Sequence, residues 1–178
     1  MAAARTDALF RQLDAYELGW CLRANRACRV HPVERFFGAI SRLGDGLFWY
    51  ILIGLLPVLY GPSALPVSAR MAGSGAAGVV LYKLLKSRMV RQRPFVLHTD
   101  IRSATPPLDR YSFPSGHTLH AVSFTVVATA FYPALAWVLT PFAILVAASR
   151  VVLGLHYPSD VLAGAGVGVL LAYFAITI

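Results

Sequence analysis

Residues 118–149 contain no Lys, Arg, Asp or Glu, and residues 47–82 contain only one, Arg70. Few other features constrain a chain so tightly. A helix needs about 20 mostly apolar residues to cross the hydrocarbon of a bilayer, and these two stretches are each long enough to hold a pair of such helices. The whole chain agrees. It is 57% hydrophobic and 13% charged, where a soluble domain is about 25% charged. The formal net charge of +8 therefore points to anionic lipid or an anionic substrate as the partner and away from nucleic acid.

Turn residues divide the apolar stretches. GPSALP (61–66) separates a span beginning at residue 39 or 47 and ending at 60 from a second at about 65–85. Pro133 separates spans at about 115–131 and 134–152, and a fifth runs from 158 to 178. Residues 8–42 mix arginines with Leu9, Leu13, Leu18, Trp20, Phe36 and Ile40 at helical spacing, the pattern of amphipathic helices lying in the membrane interface. The expected fold is an all-α integral membrane bundle of about five transmembrane helices, one domain over 1–178, with 1–42 as an N-terminal amphipathic segment. No cleavable signal peptide is expected, because Arg5, Arg11, Arg23, Arg26 and Arg29 interrupt the first 30 residues. Cys21 and Cys28 fit neither a disulfide framework nor a zinc pattern and read as small apolar residues on one helix face. GSGAAG (73–78) matches the letters of a dinucleotide fingerprint but lies inside an apolar span with no strand before it. It reads, like Gly164 and Gly168 in the last span, as small residues for close helix packing.

The polar residues gather at span ends. Lys86 and Arg93 follow the second span, His117 opens the third, Arg150 closes the fourth, and His156 and Asp160 begin the fifth. If Pro133 marks a real turn, alternation of span direction brings all six to one membrane face. Three cations suit a group with two or more negative charges, and arginine's planar fork matches phosphate oxygens. PSGH (114–117) places Ser115 and Gly116 at a helix start, where free backbone N–H groups bind anions. Two histidines supply a nucleophile and an acid. Asp160, four residues after His156, is spaced to share a helical face with it and to orient its ring. No carboxylate cluster suggests a metal site, so the cations carry the electrostatic work. Arg88, Arg91, Arg102 and Arg110 read as topology anchors beside the spans, His31 and His98 as surface residues, and His120 as packing or a polar lining.

KSRMVRQRP (86–94), PSGH (114–117) and SRVVLGLHYPSD (149–160) together resemble the three-part signature of the type 2 phosphatidic acid phosphatases, membrane lipid phosphatases related to the vanadium haloperoxidases. The resemblance implies that His156 attacks phosphorus to form a phosphohistidine, that Asp160 orients it and that His117 protonates the leaving oxygen. It implies that Lys86, Arg93 and Arg150 hold the phosphate with Ser115 and Gly116, and that no metal or other cofactor takes part. The substrate class it implies is a lipid phosphate or diphosphate: polyprenyl diphosphate, phosphatidylglycerophosphate, phosphatidate or similar. The loop 95–113 is placed to help choose among them. Two other readings fit parts of the pattern: a halide-oxidising enzyme holding vanadate, and a non-catalytic lipid-binding or lipid-transport membrane protein. The sequence does not give an oligomeric state.

The expected location is a bacterial inner membrane. Relatives of this kind often have six spans and an outward-facing site, whereas this chain shows an amphipathic segment in place of a first span. Fifteen of its 16 Lys and Arg residues fall on the site's side, with Arg70 alone opposite, and the positive-inside rule then turns the site to the cytoplasm. A reporter fused after Ile178 is expected to be active on the exported side. Activity only in the cytoplasm would reverse the orientation.

Overall fold

The computed structural model describes residues 2–107 and 109–178, with side chains from residue 8 onward. Met1 of the N-terminal segment, the Arg5 side chain and Leu108 of the 95–113 loop lie outside the described residues. The chain is all-helical: α1 (Ala2–Arg26), α2 (His31–Leu43), α3 (Leu47–Tyr60), α4 (Leu65–Arg88), the single turn α5 (Pro94–Leu97), α6 (Gly116–Phe131), α7 (Ala136–Val152) and α8 (Pro158–Thr177). Proline occupies the first turn of α2, α4, α5 and α8, where its fixed φ suits a helix and its missing N–H costs no intrahelical bond.

Both expected turns are present. A 3₁₀ turn at Pro62–Ala64 follows Gly61, whose φ of +81° favours glycine, and another at Pro133–Leu135 separates α6 from α7. The segments Pro62–Arg88, Pro133–Val152 and Pro158–Thr177 are each long and apolar enough to cross a membrane, and α2 with α3, bent by 51° between them, form a fourth candidate. At 16 residues, α6 is short for a crossing by itself, but its neighbours cover it on several sides. The chain reads as inside-out in the manner of a membrane protein: Val58, Trp137, Ile144, Leu162 and Tyr173 stand exposed on outer helix faces.

At the centre, α6 packs against α4, α7 and α8. Phe124, Val127 and Ala128 meet Trp49, Met71, Leu139 and Val146 in one apolar cluster. Close approach sets this arrangement. A Cβ at Gly164 would fall 2.4 Å from the Ser115 carbonyl oxygen, and one at Gly168 would fall 2.5 Å from that of Leu119. Gly75 and Gly78 meet Phe124 and Leu119 in the same way, whereas Gly73 faces open space. The small-residue reading thus holds at four of the five glycines.

The N-terminal segment packs on the end of the bundle. α1 packs against α7 and α8, and the face it buries carries Asp14 and Asn25 beside Phe10 and Cys21. The Asn25 amide donates to the carbonyls of Arg102 and Val152 and accepts from the Arg102 N–H, tying the long loop to the end of α7. Gly154, with φ +74°, lies under this staple, where a Cβ would meet the Arg102 carbonyl at 2.8 Å. α2 leads through the 51° bend into α3, and the two together make the fourth candidate span. Cys28 lies in a 3₁₀ turn beyond α1, so the two buried cysteines join separate clusters and share no helix face.

Gly164→Ala is expected to overpack the α6–α8 contact and cost about 1–3 kcal/mol, measured as a lower melting temperature of the detergent-solubilised protein. Gly73→Ala, which meets nothing within 4 Å, should leave the melting temperature nearly unchanged.

Candidate active site

The C-terminal ends of α4 and α7 and the N-terminal ends of α6 and α8 meet at one end of the bundle. The antiparallel turn at Pro133–Leu135 brings them there. Lys86, in the last turn of α4, is buried and donates from Nζ to Asp109 Oδ2 at 2.7 Å and to the Tyr111 carbonyl at 3.1 Å. Arg93 is the residue before α5, held extended by Pro94. It donates to the carbonyls of Asp109 and Leu155, and its Nη1 lies 3.3 Å from His156 Nε2. Arg150, in the last turn of α7, donates to Ser41 Oγ, while its Nε has no partner among the described residues.

Ser115 caps α6. Its N–H donates to the Asp160 carbonyl at 3.0 Å and its hydroxyl meets Thr118 Oγ1 at 3.0 Å. The first N–H groups of α6, from Gly116 onward, have no intrahelical acceptor and form an anion-binding end beside the cations.

His156 precedes α8 and is buried. Its expected helical pairing with Asp160 takes a different form: Asp160 is the third residue of α8 and His156 lies outside the helix. Nδ1 still comes within 3.6 Å of Asp160 Oδ2, longer than a hydrogen bond. The Arg93 N–H facing Nε2 makes that nitrogen an acceptor, which puts the ring proton on Nδ1, toward the carboxylate. Burial first, then the charges of Arg150, Arg93 and Lys86, hold His156 well below the usual imidazole range. The ring is therefore neutral, with a lone pair directed at the cationic pocket.

Lys86, Arg93, Ser115, Gly116, Arg150, His156 and Asp160 thus share one end of the bundle. His117 joins them from the first turn of α6, with Nε2 in contact with Asp45 Oδ1. His120 bonds the carbonyls of Gly116 and Gly75, as a polar lining would. His31 is exposed, but His98 is half-buried with Nε2 out of water. Among the described residues, no three His, Cys, Asp or Glu side chains converge as a metal site requires.

Arg91 corrects the reading of that residue as a topology anchor. It is 1% exposed and donates to Asp14, Glu17, Ser159 and Asp160 at 2.6–2.9 Å. Its guanidinium lies over the Tyr157 ring, 4.1 Å from the centroid. The Tyr157 N–H holds the other oxygen of Asp160 at 2.9 Å, so that carboxylate is fixed on both sides. The carboxylates Asp14, Glu17, Asp45 and Asp109 were not singled out in the sequence. A faint signal existed for the first two: acids three apart in an arginine-rich amphipathic helix share a face. Asp45 lies in the Gly44–Gly46 turn between α2 and α3, and Asp109 in a loop, with no periodicity to mark them.

Comparison with known proteins adds independent findings. The family model described as PAP2 superfamily matches residues 68–178. The chain is 33% identical over 125 residues to the undecaprenyl-diphosphatase BcrC of Bacillus subtilis, covering 70% of this chain and 64% of that protein. It is 33% identical over 132 residues to a decaprenylphosphoryl-5-phosphoribose phosphatase of Mycolicibacterium smegmatis, covering 71% and 68%. The crystal structure of Aquifex aeolicus LpxE superposes with a TM-score of 0.78 at 26% identity, over 92% of this chain and 96% of that one.

Arg91→Ala leaves three carboxylates facing one another out of water and is expected to destabilise the protein by about 3–5 kcal/mol, measured by thermal unfolding in detergent. Arg91→Lys, which loses the planar fork, should recover only part of that loss.

Proposed function

The chain belongs to the PAP2 superfamily and is an integral membrane protein, and on that premise we propose that it hydrolyses a lipid phosphate or diphosphate through a phosphohistidine. The observation that carries this reading is the neutral His156, its Nε2 lone pair beside Arg93 and its Nδ1 side facing a fixed Asp160. Nε2 attacks phosphorus. The bond from phosphorus to the leaving oxygen breaks, its electron pair stays on that oxygen, and His117 gives it a proton. Asp160 steadies the imidazole as its charge develops, and Arg91 and the Tyr157 N–H keep that carboxylate in place. Arg93, Arg150 and Lys86, with Ser115 and the N–H groups from Gly116, hold the phosphoryl oxygens as negative charge builds on them. Water then attacks the phosphohistidine, His117 takes its proton, and inorganic phosphate leaves.

The site lies at the end of the helices, at the depth where a lipid phosphate sits in the interface. The reading places it on the cytoplasmic face of a bacterial plasma membrane. Arg70, over the Phe131 ring, is the lone cation of the opposite end among the described residues.

Purified protein in detergent is expected to release phosphate from a lipid phosphate in the presence of EDTA. His156→Ala should lower kcat by about a thousandfold or more with the melting temperature retained. Turnover that survives that substitution would remove His156 from the role of nucleophile.

A further inference from the structure

Of the three cations assigned to the phosphate, Lys86 alone is paired with a carboxylate among the described residues. Its Nζ donates to Asp109 Oδ2 at 2.7 Å, whereas Arg93 and Arg150 donate to carbonyls and a hydroxyl. An ammonium has three N–H donors. Asp109 takes one and the Tyr111 carbonyl a second. A phosphoryl oxygen can therefore reach Lys86 in two ways. It displaces the Asp109 carboxylate, or it takes the third donor and lies beside that carboxylate, where the two anions repel. Either course lowers the affinity of the site for phosphate.

Asp109 is free to exchange. Its side chain is 38% exposed, and Lys86 is the one donor to its carboxylate among the described residues. Asp160, by contrast, is out of water and held by both Arg91 and the Tyr157 N–H. The backbone around Asp109 is pinned. Arg93 Nε holds its carbonyl at 3.0 Å, and the Ser112 N–H donates to the Arg91 carbonyl at 2.9 Å. A rotation of the side chain alone thus releases Lys86, with no movement of the loop. Asp109 also lines a cavity of about 240 Å³ with Gly116 and His117, which gives the carboxylate room to turn.

We infer that Asp109 is the internal counter-ion of the phosphate site: it competes with the phosphoryl group for Lys86 and reclaims that ammonium as inorganic phosphate leaves. The inference rests on the phosphatase reading above and adds a residue to its release step. The step is an ion exchange in which no covalent bond forms or breaks. The arriving phosphoryl group brings negative charge to the cations, and Asp109 turns toward water. When phosphate departs, Asp109 returns. Buried cations without a counter-ion would hold the product tightly and slow its release. They would also hold the phosphodiester headgroups of surrounding lipid, which in that reading lie at the same depth. The opposite role for Asp109, a prop that aims Lys86 at the phosphate, predicts the opposite sign: its loss would weaken phosphate binding.

The test reads inorganic phosphate as a competitive inhibitor of lipid phosphate hydrolysis by the full chain in detergent. Asp109→Asn keeps the shape and an acceptor for Lys86 but removes the charge. Its Ki for phosphate is expected to be lower than that of the wild-type protein by about tenfold. Asp109→Ala should tighten phosphate as well, because the competition depends on the charge. Asp100→Asn, which neutralises an exposed acid of the same loop, should leave Ki within about twofold. A Ki is independent of how much of a variant folds. A Ki that rises in Asp109→Asn, or falls by less than about threefold, overturns the inference and leaves the phosphatase reading standing. An equal fall in Asp100→Asn overturns it too, since net charge and not the Lys86 pair is then the cause. The rise in melting temperature that phosphate gives each protein reads the same binding without turnover. Wild-type protein that melts cooperatively, releases no phosphate from lipid and shows no such rise overturns the phosphatase reading itself.

Discussion

The contact between α6 and α8 governs the geometry of the site. Gly164 lets the start of α8 approach until the Ser115 N–H reaches the Asp160 carbonyl at 3.0 Å. Without that approach, the anion-binding end of α6 and the loop carrying His156 would have no common frame. Packing between membrane helices draws little on the hydrophobic effect, because lipid tails are as apolar as the side chains they would replace. Small residues and close backbones therefore decide which helices meet. Here they align the start of α6 with the start of α8, next to the loop that carries His156.

A second layer of the structure fixes Asp160, the carboxylate beside His156, from outside the bundle. Arg91 joins Asp160 of α8 to Asp14 and Glu17 of α1, and Glu17 also accepts from the N–H and hydroxyl of Ser159. A buried network of this kind is weak evidence for net stability, since desolvation offsets much of the attraction. Its value lies in direction: each oxygen of Asp160 has one designated donor, and the carboxylate has no freedom to turn from His156. The amphipathic N-terminal helix is thus a wall of the site as well as a surface element.

Charge is divided across the site. On one side, His156 is surrounded by Lys86, Arg93 and Arg150 and stays neutral. On the other, His117 meets Asp45 beside an aromatic cavity. The two histidines have opposite partners, which suits the proposed roles of nucleophile for His156 and acid for His117.

The amino-acid sequence by itself determined a good deal. Charge-free runs too long for a soluble fold dictate membrane helices. Pro133 and GPSALP mark the turns, and the spacing of Lys86, Arg93, PSGH and the 149–160 stretch places the cations and histidines at one end. These signals are local or periodic, so they can be read one segment at a time. Only the tertiary structure decided which acids meet which cations. Asp45, Asp109, Asp14 and Glu17 come from a tight turn, a loop and an amphipathic helix, and find His117, Lys86 and Arg91 across 72, 23, 77 and 74 residues of chain. A single carboxylate carries no mark of its partner in the sequence, because its pairing depends on where the backbone brings it. The replacement of helical His156–Asp160 pairing by a loop histidine facing a helix-start carboxylate has the same cause. Pro158 starts α8 two residues after His156, which leaves His156 outside the helix whose third residue is Asp160.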